Sequence, residues 1–215
     1  MPRERFITFE GGEGAGKSTQ VRLLAERLAA VGHRVVVTRE PGGAPAAETI
    51  RQLLVTGDTA RWTAKAEALL HFAAREEHLT QTIRPALGRG DWIISDRFVD
   101  STMAYQGAAQ GLGAEFINQL KDMIVGGDMP ALTFVLDLPV ETGLGRAGRR
   151  LTEKGGGADE DRYERMDLEF HETLRQAFLN IAKNEPARCA VIDASRGEEE
   201  IAEAVWACVQ DRLNP

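Results

Sequence analysis

The chain has 215 residues, of which 43% are hydrophobic and 27% are charged, as in an ordinary folded globular protein. Its formal net charge of −7 argues against binding to a nucleic-acid backbone, which requires a basic surface. No apolar run approaches the roughly 20 residues that cross a bilayer, so we expect no membrane partner. The N-terminal residues show no signal-peptide pattern, and the two cysteines, Cys189 and Cys208, have no metal-ligand spacing. We therefore expect a cytoplasmic location.

Five short apolar or β-branched runs alternate with helical patterns along the chain. Near-continuous apolar strands separated by helices predict an α/β fold with a five-stranded parallel sheet between two helical layers. No linker divides the sequence, so we expect one domain over residues 1–215. The predicted strands are 5–9, 34–38, 92–95, 132–136 and 189–192, and helical patterns cover about 21–31, 64–87, 114–125, 162–183 and 198–213.

The first strand leads directly into a glycine-rich loop that fits the pattern G-x-x-x-x-G-K-[ST] without exception. Glycines let backbone N–H groups approach phosphate oxygens, and the following helix adds its positive N-terminus. Lys17 is expected to reach the terminal phosphates of a nucleotide, and Ser18 to ligate Mg²⁺. The residues predicted to bind ATP are Gly11, Gly12, Glu13, Gly14, Ala15, Gly16, Lys17, Ser18 and Thr19.

The motif identifies a nucleotide-phosphate site but not its reaction. The N-K-x-D and D-x-x-G elements typical of GTPases do not occur. The third strand instead ends in Asp96 followed at once by Arg97. A carboxylate there can act on Mg²⁺ and an adjacent arginine on a second phosphate, which favours transfer between two phosphorylated molecules. Because ligands collect at the carboxyl edge of such sheets, Arg39, Arg51 and Arg75 are expected to converge there with Arg97.

Three strings give the sequence a family resemblance. Residues 9–18 (FEGGEGAGKS), 38–43 (TREPGG) and 96–107 (DRFVDSTMAYQG) resemble bacterial thymidylate kinase in order and spacing. Residues 161–164 (DRYE) resemble the lid-end motif of that family. The resemblance implies a kinase that transfers a phosphoryl group from Mg·ATP to dTMP, giving dTDP for dTTP synthesis. It also implies a homodimer.

The resemblance also assigns the acceptor site. Phe72 would stack on thymine and Arg75 would bind its carbonyl edge, although Phe72 also fits an ordinary apolar helix stripe. Arg51 and Arg97 would hold the dTMP phosphate, and Tyr105 would lie against the deoxyribose. The full set expected to bind dTMP is Glu40, Pro41, Arg51, Phe72, Arg75, Arg97, Ser101, Thr102, Tyr105, Gln106 and Tyr163.

Catalysis is expected to rest on positive charge around the transferred group. Some family members carry an arginine in the phosphate loop where this chain has Gly14, so the resemblance implies that a lid over about residues 146–162 supplies it. Arg146, Arg149, Arg150 and Arg162 cluster there, and which of them acts stays open; Arg150 and Arg162 are placed in the predicted catalytic set. The predicted catalytic set is Lys17, Arg97, Asp96, Glu13, Arg150 and Arg162, and the predicted magnesium ligands are Ser18, Asp96 and Glu13.

Two alternatives remain at this point. A kinase for another monophosphate or for a deoxynucleoside would share the phosphate loop and lid and differ in the base pocket. A P-loop switch or regulatory ATPase would bind nucleotide without any acceptor.

Overall fold

A computed structural model describes residues 3–153 and 162–215 of the chain. Five strands form one parallel sheet in the order β2-β3-β1-β4-β5. They are β1 Phe6–Glu10, β2 Val35–Arg39, β3 Trp92–Asp96, β4 Leu132–Asp137 and β5 Cys189–Asp193. Each predicted strand is confirmed to within one or two residues. Short apolar runs of β-branched and aromatic residues favour buried strands in a sheet that is covered on both faces.

The helices are α1 Lys17–Ala30, α2 Pro45–Val55, α3 Ala64–His78, α4 Arg84–Gly88, α5 Val99–Thr102, α6 Ala114–Ile124, α7 Val140–Glu153, α8 Leu168–Asn184 and α9 Glu198–Leu213. A turn of 3₁₀ helix precedes β1, at Arg3–Arg5. One turn of π-helix, Leu79–Ile83, joins α3 to α4, and another, Met103–Ala109, follows α5. The predicted helix over 64–87 is therefore continuous, and its backbone widens into π-helix at Leu79–Ile83.

One predicted helix begins later than expected. The pattern placed its start at residue 162, whereas α8 begins at Leu168. The Asp167 side chain accepts a hydrogen bond from the Phe170 amide at 2.8 Å, and this N-cap fixes the start. Residues 162–166 before it form a turn and a bend rather than helix.

The sheet is buried on both faces. Ile7, Phe9 and Ile94 pack with α1 and α9 on one side, and Phe6 and Ile93 pack with α3 and α4 on the other. This three-layer arrangement confirms the predicted fold class. Within the described ranges, every helix is too short or too polar to cross a membrane.

Candidate active site

The phosphate loop joins β1 to α1 at the carboxyl edge of the sheet. Gly16, with φ of 89°, precedes the first residue of α1, Lys17. The Lys17 ammonium donates to the carbonyls of Gly11 at 3.1 Å and Gly12 at 2.8 Å, so the side chain folds back over the loop. Burial, helped by the nearby Arg97, lowers the pKa of Lys17 to about 8.

The backbone of the loop lies close to the backbone of α7. Gly14 has φ of 68°, and a Cβ at this position would collide with the carbonyl of Gly143. A Cβ on Gly143 would in turn collide with the carbonyl of Glu13. Two glycines therefore allow the phosphate loop and the start of α7 to lie against each other.

Oxygen ligands meet where β3 ends. The Ser18 hydroxyl donates to the Asp96 carboxylate at 2.6 Å, which joins α1 to β3. A hydroxyl and a carboxylate are hard oxygen donors of the kind that Mg²⁺ prefers, usually completed by water and substrate phosphate. Among residues 3–153 and 162–215 no group of three or more His, Cys, Asp or Glu side chains forms a metal cage. The residues present thus fit a magnesium ion shared with a nucleotide.

Arg97 links β3 to the phosphate loop. Its backbone is left-handed, with φ of 72°, and its Nη2 lies 2.8 Å from Glu13 Oε1. Its Nη1 donates to the Gly11 carbonyl and to the Ser101 hydroxyl, each at 3.1 Å. The Tyr105 hydroxyl donates to the same Glu13 oxygen at 2.6 Å. Burial opposes ionisation of Glu13, but Arg97 and Lys17 outweigh it and hold its pKa at about 2.

A second buried acidic side chain, Glu10, supports the turn after β3, and the sequence motifs did not single out its role. Glu10 accepts from the Phe98 amide at 2.7 Å and from the Ser101 hydroxyl at 2.6 Å. Burial, together with repulsion from Asp100, raises the pKa of Glu10 to about 8. Glu10 thereby anchors the turn that carries Arg97.

A cavity of about 410 Å³ opens beside these groups. All four arginines expected to converge, Arg39, Arg51, Arg75 and Arg97, line it. So do most residues that the sequence assigned to ATP, dTMP or magnesium: Glu13, Gly14, Ala15, Gly16, Lys17, Ser18, Thr19, Glu40, Pro41, Asp96, Ser101, Thr102, Tyr105, Gln106 and Tyr163. Gly11 and Gly12 line a smaller cavity on the other side of the loop.

Arg75 is held by a buried acidic partner. Its Nε donates to Glu40 at 2.8 Å, and its Nη2 donates to the Thr102 hydroxyl at 3.1 Å. His78, one turn along α3, bonds the other Glu40 oxygen at 3.0 Å. Arg75 Nη1 has no hydrogen-bond partner among the described residues. This nitrogen is a buried donor that a ligand can satisfy.

Phe72, the residue expected to stack on the base, does not line the cavity in this conformation. It is 2% exposed and packs in the core with Phe6 and Phe98. The Arg75 guanidinium lies 4.8 Å from the Phe72 ring centroid and covers the ring. Stacking of a base on Phe72 therefore requires this guanidinium to shift, and the role of Phe72 stays a prediction.

His71 lines the cavity next to Phe72, and no motif singled it out. Its Nε2 lies 3.0 Å from the Tyr163 hydroxyl. Burial lowers the pKa of His71 to about 3, and the positive charges of Arg75 and Arg162 act in the same direction, so the ring is neutral. His71 belongs to a stripe on α3 formed with Glu67 and Arg75 at four-residue intervals, and this spacing is visible in the sequence.

Arg162 lies apart from the phosphate loop. Its guanidinium donates to the carbonyls of Asp58 and Leu54 at 3.0 Å and Thr59 at 2.9 Å, and it pairs with Glu67. All of its nitrogens are thus engaged, and Arg162 is not among the described residues that line the cavity. This conformation does not support the catalytic role expected for it. The side chain of Arg150 and residues 154–161, the centre of the predicted lid, lie outside the described part of the chain.

The comparisons with known proteins agree with each other. The family model for thymidylate kinase matches residues 9–205. A thymidylate kinase of Caulobacter vibrioides is 52% identical over 213 residues, covering 99% of both chains. One of Afipia carboxidovorans is 51% identical, covering 98% of this chain and 91% of that one. A crystal structure of thymidylate kinase from Ehrlichia chaffeensis matches with a TM-score of 0.76 and 35% identity, over 95% of this chain and 98% of that chain.

A phosphate loop at the edge of a parallel sheet, next to an arginine-lined acceptor cavity, defines a P-loop phosphotransferase. Within that class, the chain belongs to the thymidylate kinase family. The reaction of this family is the phosphorylation of dTMP to dTDP.

Proposed function

We propose that the chain transfers the γ-phosphoryl group of Mg·ATP directly to the phosphate of dTMP, in line and without a covalent enzyme intermediate. The observation that carries this proposal is the Arg97–Glu13 pair, which joins the phosphate loop to the acceptor cavity. A guanidinium at that junction lies between a donor phosphate on the loop and an acceptor phosphate in the cavity. Catalysis of this kind needs positioning and charge stabilisation rather than covalent chemistry.

The phosphate loop and Lys17 bind the donor in this proposal. Lys17 exchanges its contacts with the Gly11 and Gly12 carbonyls for phosphate oxygens, and the N–H groups at the start of α1 add donors. Ser18 and Asp96, with Glu13 acting through water, would hold Mg²⁺. The ion would neutralise charge on the β- and γ-phosphate oxygens.

Arg97 and Arg51 bind the acceptor phosphate. Glu13 keeps the Arg97 guanidinium oriented, and Tyr105, whose hydroxyl bonds the same carboxylate, presents its ring toward the sugar. A buried ring against the sugar leaves no room for a 2′-hydroxyl, so deoxyribonucleotides are favoured. Burial raises the pKa of Tyr105 well above its usual value, so this phenol stays neutral.

The base pocket offers one donor and one acceptor. Arg75 Nη1 and Gln106 Oε1 are buried atoms with no hydrogen-bond partner within the described ranges. Thymine presents a carbonyl oxygen at C4 and an N–H at N3, which match that pair. The rings of α3 hold the base in this proposal: His71 lines the pocket directly, and Phe72 stacks on the base once the Arg75 guanidinium turns from the ring to the thymine carbonyl.

We also propose a single cytoplasmic domain with a lid over about residues 146–162 that supplies an arginine to the transferred group. The chain acts as a homodimer in this proposal. Leu69 on α3 and Met123 on α6 are 47% and 76% exposed, and these helices pack side by side, which supports a two-fold contact there. Sedimentation of the protein and of Met123→Lys tests the dimer: we expect the variant to shift toward monomer.

A coupled ADP-release assay tests the reaction, with Mg·ATP and dTMP, dUMP, dCMP, dGMP, dAMP, UMP or no acceptor. We expect ADP release with dTMP well above all others. Equal release without an acceptor would indicate a P-loop ATPase and contradict the proposal.

A further inference from the structure

Glu67, which no motif singled out, is the centre of a buried cluster beside the base pocket. Its side chain is fully buried in the first turn of α3. Its Oε1 accepts from Gln106 Nε2 and Gln110 Nε2, each at 2.7 Å, and from the Tyr163 hydroxyl at 3.0 Å. The Arg162 guanidinium pairs with its other oxygen. Two distant segments of the chain thus meet at one carboxylate.

The carboxylate decides which way the Gln106 amide points. An ionised carboxylate only accepts hydrogen bonds, so Gln106 must turn its NH₂ group toward Glu67 and its carbonyl oxygen away. That oxygen, Gln106 Oε1, is buried and has no hydrogen-bond partner among residues 3–153 and 162–215. Gln106 itself lines the cavity. The atom that Gln106 offers to a base is therefore an acceptor because of Glu67.

We propose that Glu67 is a positioning residue that sets pyrimidine specificity by locking the Gln106 amide, and that it also anchors Arg162 and Tyr163. The inference rests on the proposed base pocket and extends it. An acceptor at Gln106 matches the N3–H of thymine and repels the N3 lone pair of cytosine. The same amide turned by 180° would favour cytosine at that atom.

The ion pair with Arg162 explains why a carboxylate is needed. Arg162 is 2% exposed and also donates to three backbone carbonyls of residues 54–59. A buried guanidinium requires a negative partner. Glu67 meets this need with one oxygen and orients Gln106 with the other. One carboxylate thereby holds both the Arg162–Tyr163 segment and the Gln106 side chain of the base pocket.

Replacement of Glu67 by Gln tests the proposal, because the new NH₂ group can donate to Gln106 and release its amide to turn. We measure kcat and KM for dTMP and for dCMP at saturating Mg·ATP. We expect the ratio of kcat/KM for dTMP to that for dCMP to fall about tenfold or more, since a buried donor would then face the thymine N–H. The KM for ATP should stay within about twofold, since its site is formed by other residues.

Two further variants separate orientation from structural damage. Glu67→Asp keeps an acceptor-only group and should retain the dTMP-to-dCMP ratio even if its thermal midpoint falls. Gln110→Ala removes one hydrogen bond to the same oxygen, but Gln110 does not line the described cavity, so the ratio should again be retained. If Glu67→Gln does not fold, the double variant Glu67→Gln, Arg162→Gln, which leaves no buried charge unpaired, is measured in its place, and the same fall in the ratio is expected.

Two results would overturn the proposal that Glu67 sets pyrimidine specificity. One is a proportional loss of both activities in Glu67→Gln, which would make Glu67 a purely structural residue. The other is an altered dTMP-to-dCMP ratio in Glu67→Asp. Failure of the proposed function is recognised separately, because the unsubstituted protein itself would then show no preference for dTMP.

Discussion

Arg97 Nη2 lies 2.8 Å from Glu13 Oε1, so the residue after β3 and the middle of the phosphate loop are joined by one ion pair. Both side chains are 15% exposed, which strengthens the interaction relative to a surface pair. In the proposed mechanism, the pair holds the arginine at the boundary between the donor and acceptor sites, where the transferred group must pass.

Replacement of Arg97 by Lys tests this placement. Lysine keeps the charge but loses the fork that contacts Glu13, Gly11 and Ser101 together. We expect kcat/KM for dTMP to fall by about 10²–10³. Steady-state kinetics measure this fall in kcat/KM. Arg22→Lys is the matched control, because Arg22 is 57% exposed on α1, and it should behave like wild type.

The histidine in the cavity wall gives a second prediction. His71→Ala removes a ring that lines the cavity, so the KM for dTMP should rise about tenfold while the KM for ATP stays unchanged. His71→Phe keeps a ring and should stay within about threefold of wild type. A dTMP KM unchanged in His71→Ala would remove His71 from the site.

Phe72 gives a third prediction, which separates its packing from its expected contact with the base. Because the ring is buried in the core, Phe72→Leu should lower the free energy of unfolding by about 1–2 kcal/mol. Loss of base stacking should also raise the KM for dTMP about tenfold. Urea titration and steady-state kinetics measure the two effects. A loss of stability with an unchanged KM would leave Phe72 a core residue only.

The depressed pKa of His71 predicts a pH dependence of stability. Between its folded pKa of about 3 and its ordinary value of 6.5, the unfolded chain binds a proton that the folded protein does not. The unfolding free energy therefore rises with pH across this window, and His71 contributes up to about 1.4 kcal/mol per pH unit. Urea titrations of wild type and His71→Phe from about pH 4.5 to 7 should show a shallower slope in the variant. Equal slopes would contradict the assignment.

Arg162 and Arg150 can be separated by one pair of variants. Since Arg162 is buried and bonded to Glu67 and three carbonyls, Arg162→Ala should cost about 3–5 kcal/mol of stability. If Arg150 is the lid arginine, Arg150→Ala should lower kcat by about 10³ or more with no such loss of stability. Calorimetry and turnover measured on both variants distinguish the roles. If Arg162→Ala is stable but has no turnover, Arg162 is a catalytic residue after all.

The sheet and the phosphate loop could be predicted well from the sequence because both depend on local pattern. An apolar run such as Ile93–Ile94 favours a buried strand, and the glycine-rich motif before Lys17 favours a phosphate loop, whatever the rest of the chain does. The base pocket was predicted less completely, since the family resemblance assigned Phe72, which packs in the core here, and no motif singled out His71, which lines the cavity. Glu67 and Arg162 could not be paired from sequence, because their contact joins segments 95 residues apart through tertiary packing alone.

The contact between Gly14 and Gly143 restricts how this enzyme can evolve. An arginine cannot be acquired at position 14 by a single mutation, because its Cβ would collide with the backbone of α7. Such a change requires α7 to move as well, and α7 leads into the predicted lid. In the proposed mechanism, that charge must therefore come from outside the phosphate loop. We therefore expect few resistance mutations at position 14 against inhibitors that bind the phosphate loop.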